Sequence, residues 1–108
     1  MNWLHEASYL AGGALAANAV PHFVNGVMGR PFQSPFSKPP GEGLSSSTVN
    51  VLWGFGNLVV GYLLIAQVGH FDPRAPEHAI AVGVGVLLMG LVTARLFGRF
   101  HGGDSPTG

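Results

Sequence analysis

Apolar residues fall into three blocks, 7–29, 49–68 and 79–97, and none of them contains Lys, Arg, Asp or Glu before Arg95. Each block is about twenty residues long. A helix rising about 1.5 Å per residue needs that length to cross the roughly 30 Å hydrocarbon core of a bilayer. The pattern predicts an all-α integral membrane protein with three transmembrane helices. A single three-helix domain is expected over residues 1–100, and residues 101–108, rich in Gly with Ser and Pro, are expected to form a flexible tail. Pro21 leaves two ends open for helix 1. It stops near Val20, with a short interfacial helix behind it, or it bends and continues to Gly29. Ala17-Asn18-Ala19 has the small-x-small form of a processing site, but Asn2, Trp3, His5 and Glu6 supply no positive n-region. The first block therefore reads as a retained span with Trp3 as an interfacial anchor.

Between helices 1 and 2, residues 30–41 repeat Pro-Phe at an interval of four, as Pro31-Phe32 and Pro35-Phe36, and then carry the pair Pro39-Pro40. Proline fixes φ and pushes its predecessor toward extended geometry, so an extended or turn-rich loop is expected here. Arg30, Phe32, Phe36 and Lys38 are its candidate contact residues. The two Phe rings need apolar surroundings, and the headgroup region, the underside of the bundle and a partner protein all offer them. Gly41 and Gly43 then free the chain, residues 45–48 supply N-cap hydroxyls for helix 2, and Pro76-Glu77 suits the start of helix 3.

The polar residues inside the blocks change the picture most. Asn18, His22 and Asn25 recur at spacings of four and three, which places them on one helical face; Asn50, Gly54, Asn57 and Gly61 do the same in the second block. An amide or imidazole turned to lipid without a partner is costly, so the two stripes are expected to face each other. Two roles fit. The amides and the imidazole join the helices by hydrogen bonds, or they line a polar pocket near the cytoplasmic half, where His22 can gain or lose a proton. Ala79, Gly83, Gly90 and Ala94 in the third block and Gly54 and Gly61 in the second permit close helix approach, and both sets are expected to pack within the chain.

Composition narrows the function classes. Hydrophobic residues make up 47% of the chain and charged residues 9%, against about 25% charged in soluble domains. The net charge is zero and the basic residues are scattered, which argues against nucleic acid as a partner. There is no cysteine, which removes disulfides, thiolate metal sites and cysteine nucleophiles. Arg30, Lys38, Arg95 and Arg99 lie on one side of a three-span topology and Arg74 alone on the other. That asymmetry places the first loop and the C-terminus in the cytoplasm and the N-terminus outside, in a bacterial-type inner membrane.

On the outer side, His5, Glu6, His70, Asp72, Glu77 and His78 are brought together by the topology, and nitrogen with carboxylate oxygen suits Zn²⁺, Cu²⁺ or Fe. Their spacing matches no metal motif, and no second intramembrane histidine faces His22 to hold a haem. No cofactor is assigned. No intramembrane carboxylate pair, nucleophile elbow or phosphate loop occurs, so no enzyme activity is expected. The leading expectation is an accessory or structural subunit whose partners are the lipid bilayer and other membrane subunits or identical copies. The alternative is a small-molecule or ion-handling protein with a pocket lined by Asn and His, and the third is a metal- or haem-binding membrane protein.

Overall fold

The computed structural model describes residues 2–103, so most of the expected tail, residues 104–108, lies outside the described residues. Three helices dominate: α1 (Trp3–Val27), α2 (Ser47–Tyr62) and α3 (Pro76–His101). A π-helical turn, Leu63–Val68, continues α2 directly. Each helix starts where local chemistry satisfies its free N–H groups. The Asn2 side chain accepts from the Leu4 N–H, the Ser46 hydroxyl accepts from the Val49 N–H, and Pro76 occupies the first turn of α3 with Glu77. Gly102, with φ 80°, closes α3 in a left-handed conformation. His101 is thus the last residue of a helix, not the first of a tail.

α1 runs unbroken through Pro21, which settles the end left open by the sequence in favour of the longer helix. Proline removes the backbone donor to Ala17, and in the following turn the Asn25 amide donates to the Pro21 carbonyl at 2.7 Å.

Helix α1 lies between the other two, which scarcely touch each other. It is antiparallel to α2: Gly12 sits against Gly61 and Ile65, and Gly54 against Phe23. It is parallel to α3, where Gly85 sits against Leu10 and Ala14. Gly54 and Gly61 therefore pack within the chain, as expected. In α3 the expectation fails, because Gly83 and Gly90 have nothing within 4 Å of where a Cβ would stand, and the buried glycines are Gly85 and Gly98. Small residues occupy two faces of this helix, and only the position of α1 selects between them.

Two helices, Ser47–Val68 and Pro76–His101, are long and apolar enough to cross a membrane. α1 is not a candidate span by the same measure, so two of the three expected spans are supported. Ser8, Asn18, Pro21, His22 and Asn25, set among Gly and Ala, dilute its hydropathy. Among the described residues the interior is more polar than the surface. Tyr9, Ala19 and Phe32 are the buried apolar side chains, against Ser8, His22, Gln33, Ser34, Ser37, Asn50 and Asn57. Large apolar side chains such as Leu52 and Leu87 point outward, more than half exposed.

Between α1 and α2, β1 (Phe32–Gln33) pairs antiparallel with β2 (Leu44–Ser45), so the expected extended loop closes into a small hairpin. At the other end of the bundle, the Ser8 hydroxyl donates to the Leu64 carbonyl and the Tyr9 hydroxyl to the Gly69 carbonyl. Both acceptors belong to the π turn or its cap, where the Gly69 N–H reaches back five residues to Leu64 O. Tyr9→Phe removes a buried donor from this junction. It is expected to cost about 1–2 kcal/mol, read as a lower Tm in detergent.

Candidate functional site

The hairpin end of the bundle is organised by Asn50, which is fully buried one turn into α2. The two hydrogens of its amide nitrogen are shared among three carbonyls, Phe32 O at 3.1 Å, Ser45 O at 3.2 Å and Ser46 O at 3.0 Å. With the nitrogen committed, the amide oxygen faces His22 Nδ1 at 2.8 Å, and the network therefore assigns the proton to Nδ1. His22 Nε2 remains without a hydrogen bond among the described residues. Three aromatic rings meet the imidazole edge-to-face: Phe32 at 5.5 Å, Phe97 at 5.8 Å and Trp53 at 6.4 Å.

One turn deeper, the Asn18 amide donates to Asn57 Oδ1 at 3.2 Å, and the Asn57 amide donates to the Trp53 carbonyl at 2.8 Å. The two polar stripes thus meet through Asn18–Asn57 and His22–Asn50. Asn25 does not join them, since its amide turns back to its own helix at Pro21.

The hairpin folds under the bundle. Phe32 is buried and stacks on His101 with centroids 5.0 Å apart, and His101 Nε2 donates to Gln33 Oε1 at 2.9 Å. Phe36 is 64% exposed, with one edge on the Trp53 ring at 5.2 Å. Arg30 and Lys38 are exposed. Of the four strap residues singled out in the sequence, only Phe32 enters the interior. Gln33, Ser34, Trp53, Phe97, Arg99 and His101 also build this region and were not foreseen. The shared side of the first loop and the end of helix 3 was a usable signal for His101.

Beside His22 the packing leaves a cleft of about 450 Å³, lined by Asn18, His22, Ser34, Trp53, Phe97 and Arg99, with Pro35, Pro40 and Glu42 also on its wall. Trp53 Nε1 is the one buried side-chain polar atom without a hydrogen-bond partner among the described residues. An orphaned buried donor costs about 1–3 kcal/mol. The cleft therefore sets an unspent imidazole nitrogen and the Arg99 side chain among aromatic walls, while the Trp53 indole nitrogen is itself buried.

At the opposite end the topology does gather the six residues considered for a metal. The His5 and His70 rings lie 5.9 Å apart, and the His78 ring packs on Tyr9 at 4.6 Å while its Nδ1 accepts from the Asp72 N–H at 3.0 Å. Glu6 and Glu77 line a depression of about 340 Å³ with His5 and His78. Among the described residues no three His, Asp or Glu side chains are placed to hold a metal ion. Comparison with protein-family models, with curated proteins and with solved structures returns no match to this chain.

Proposed function

We propose that this is an integral membrane protein in which α1 crosses the bilayer between the two apolar helices, and that the cleft beside His22 is its binding site for a small molecule. The inside-out distribution of polarity supports the first part: α1 turns its polar residues onto its neighbours, where they cost little, while α2 and α3 present Leu and Val outward. At about 1.5 Å per residue, its 25 residues are long enough. Arg30, Lys38, Arg95 and Arg99 on the hairpin side, against Arg74 on the other, favour a cytoplasmic hairpin and an external N-terminus in a bacterial-type inner membrane.

The observation that carries the binding reading is the cleft of about 450 Å³ beside His22, whose Nε2 has no hydrogen bond among the described residues. Residues that served only to join helices would spend their donors inside the protein, as the Asn18 amide does on Asn57 Oδ1 and the Asn50 and Asn57 amides do on backbone carbonyls. His22→Leu tests this by native mass spectrometry of protein extracted gently from its own membrane. Wild type is expected to retain a small-molecule mass that the variant loses with its assembly state unchanged. Equal retention by both would remove the cleft as the site.

A subunit role is the second reading, favoured by one observation. Gly83 and Gly90 lie on a bare face of α3 with Ile80 and Leu87, 64% and 61% exposed. Gly83→Leu is expected to shift the same spectrum to smaller assemblies if this face meets another subunit, and to leave it unchanged if the face meets lipid.

A further inference from the structure

We propose that the connection between the π turn and α3, residues 69–75, is an acid-sensitive latch, closed while His78 Nδ1 accepts the Asp72 N–H and opened when that nitrogen takes a proton. Three hydrogen bonds close the connection. The Ala75 N–H donates to the Asp72 carbonyl at 3.0 Å, the Arg74 N–H to Asp72 Oδ1 at 2.9 Å, and the Asp72 N–H to His78 Nδ1 at 3.0 Å. The first two are internal to the turn, and the third fastens its start to the first turn of α3.

Only an unprotonated ring nitrogen accepts, so the closed connection needs neutral His78 with its proton on Nε2. A further proton goes to Nδ1, where the Asp72 N–H already points, and the two hydrogens exclude each other. The Tyr9 hydroxyl, 3.3 Å from Nδ1, is no substitute donor, since its single hydrogen goes to the Gly69 carbonyl. Backbone amides do not titrate in this range, and a carboxylate ordinarily takes its proton roughly two to three pH units below an imidazole. His78 is therefore the first of the latch groups to change as pH falls.

Strain stored beside the latch gives opening a direction. His70 stands at φ 51°, in the left-handed region that residues with a Cβ adopt uncommonly. It is held between two fastened points. Before it, the Tyr9 hydroxyl ties Gly69, the cap of the π turn, and the Phe71 N–H reaches Ile65 O at 3.1 Å; after it comes the His78 contact. Loss of that contact lets the segment relax, and with it the Phe71 ring, whose centre is 5.9 Å from that of Tyr9 and 6.1 Å from that of His78.

The charged groups at this end set the sign. Glu6 on α1, Asp72 in the connection and Glu77 on α3 are carboxylates that favour a charged imidazole and can partner it once the Asp72 N–H has left. His5 and His70, with rings 5.9 Å apart, repel each other when both are charged, and Arg74 adds a positive charge to the same connection. The latch is thus closed at neutral pH, and its contribution is lost as pH falls through the titration of His78. In the topology proposed above this end faces outside the cytoplasm, but the latch does not depend on that orientation.

NMR of ¹⁵N-labelled protein in detergent, from about pH 8 to about pH 5, follows the Asp72 amide together with the His78 ring nitrogens. The expected result is an upfield shift of the Asp72 amide proton with the same midpoint as the His78 ring. His78→Asn sets a carboxamide oxygen, an acceptor that takes no proton in this range, near the place of Nδ1, and its Asp72 amide is expected to stay downfield throughout. His78→Phe offers no acceptor and is expected to show the acid position at every pH. An Asp72 amide that stays still while His78 titrates overturns the proposal, as does one that shifts equally in His78→Asn, which would assign the change to the Asp72 carboxylate or to His70. A simultaneous shift of all amides would mean that the bundle unfolds as a whole, and it too would overturn the latch. The two wild-type midpoints decide the matter by themselves if either variant fails to fold.

Discussion

Asn50→Leu is expected to be the most damaging single substitution in the hairpin end, at about 4 kcal/mol. In a place with no access to water the amide accepts from His22 and shares its two hydrogens among the carbonyls of Phe32, Ser45 and Ser46. Leucine has similar size, so little packing is lost, but the imidazole N–H and the Phe32 carbonyl are left buried without this partner. Each such orphan costs about 1–3 kcal/mol, and the loss of a fully satisfied network is one of the few mechanisms that reach this size. The hairpin should come away from the bundle as well, since Asn50 is the side chain that ties β1, β2 and α1 together. Chemical denaturation in detergent would read the stability loss, and protease sensitivity near Gly41 would read the release. Asn50→Leu with a wild-type midpoint and a protected hairpin would mean that the network contributes little.

Gly85→Leu is the second. An ideal Cβ at this position would lie 2.9 Å from the Leu10 carbonyl carbon and 3.1 Å from the Ala14 nitrogen. Those are backbone atoms of the central helix and cannot rotate away. α3 must therefore move off α1, with an expected loss of about 3 kcal/mol or more. Gly83→Ala, two residues away, meets nothing within 4 Å and is the control. Alanine is the better helix former by about 0.5–1 kcal/mol, so this variant should be neutral or slightly stabilising in the isolated protein. Cross-linking between α1 and α3 together with thermal unfolding distinguishes the pair. Similar behaviour of the two variants would contradict the observed face of α3.

Periodicity and length were enough to read the three helices from the residues, because helix boundaries are set locally by Ser46, Pro76-Glu77 and the glycines that follow each apolar block. The pairing of the polar stripes was legible for the same reason: four-residue spacing puts Asn18 with His22, and buried amides require partners. What the sequence hid is tertiary. Asn25 shares the face of its neighbours, yet the Pro21 carbonyl, one turn back on its own helix, is a nearer acceptor. Gly83 and Gly85 are indistinguishable in composition and differ only in which side α1 takes. The hairpin depends on Gln33 and Leu44, eleven residues apart, finding each other across a proline-rich turn that has no period to read. Trp53 looked like one more apolar residue of helix 2, since its missing hydrogen bond exists only once its neighbours are placed.

The metal reading depended on proximity alone. Proximity was achieved, but His78 is held by a backbone N–H and by the Tyr9 ring, and ligand geometry needs free nitrogen.

The proposed topology requires α1 to cross the bilayer, although its own hydropathy does not mark it as a span. The chain has no cysteine, so single cysteines introduced at Asn2, Glu42 and Asp72, all exposed, can be labelled one at a time in sealed vesicles with a membrane-impermeant maleimide. Three crossings predict that Asn2→Cys and Asp72→Cys react from one side and Glu42→Cys only from the other. If Asn2→Cys and Glu42→Cys react from the same side, α1 does not cross, and the sealed polar seam between three spanning helices is wrong.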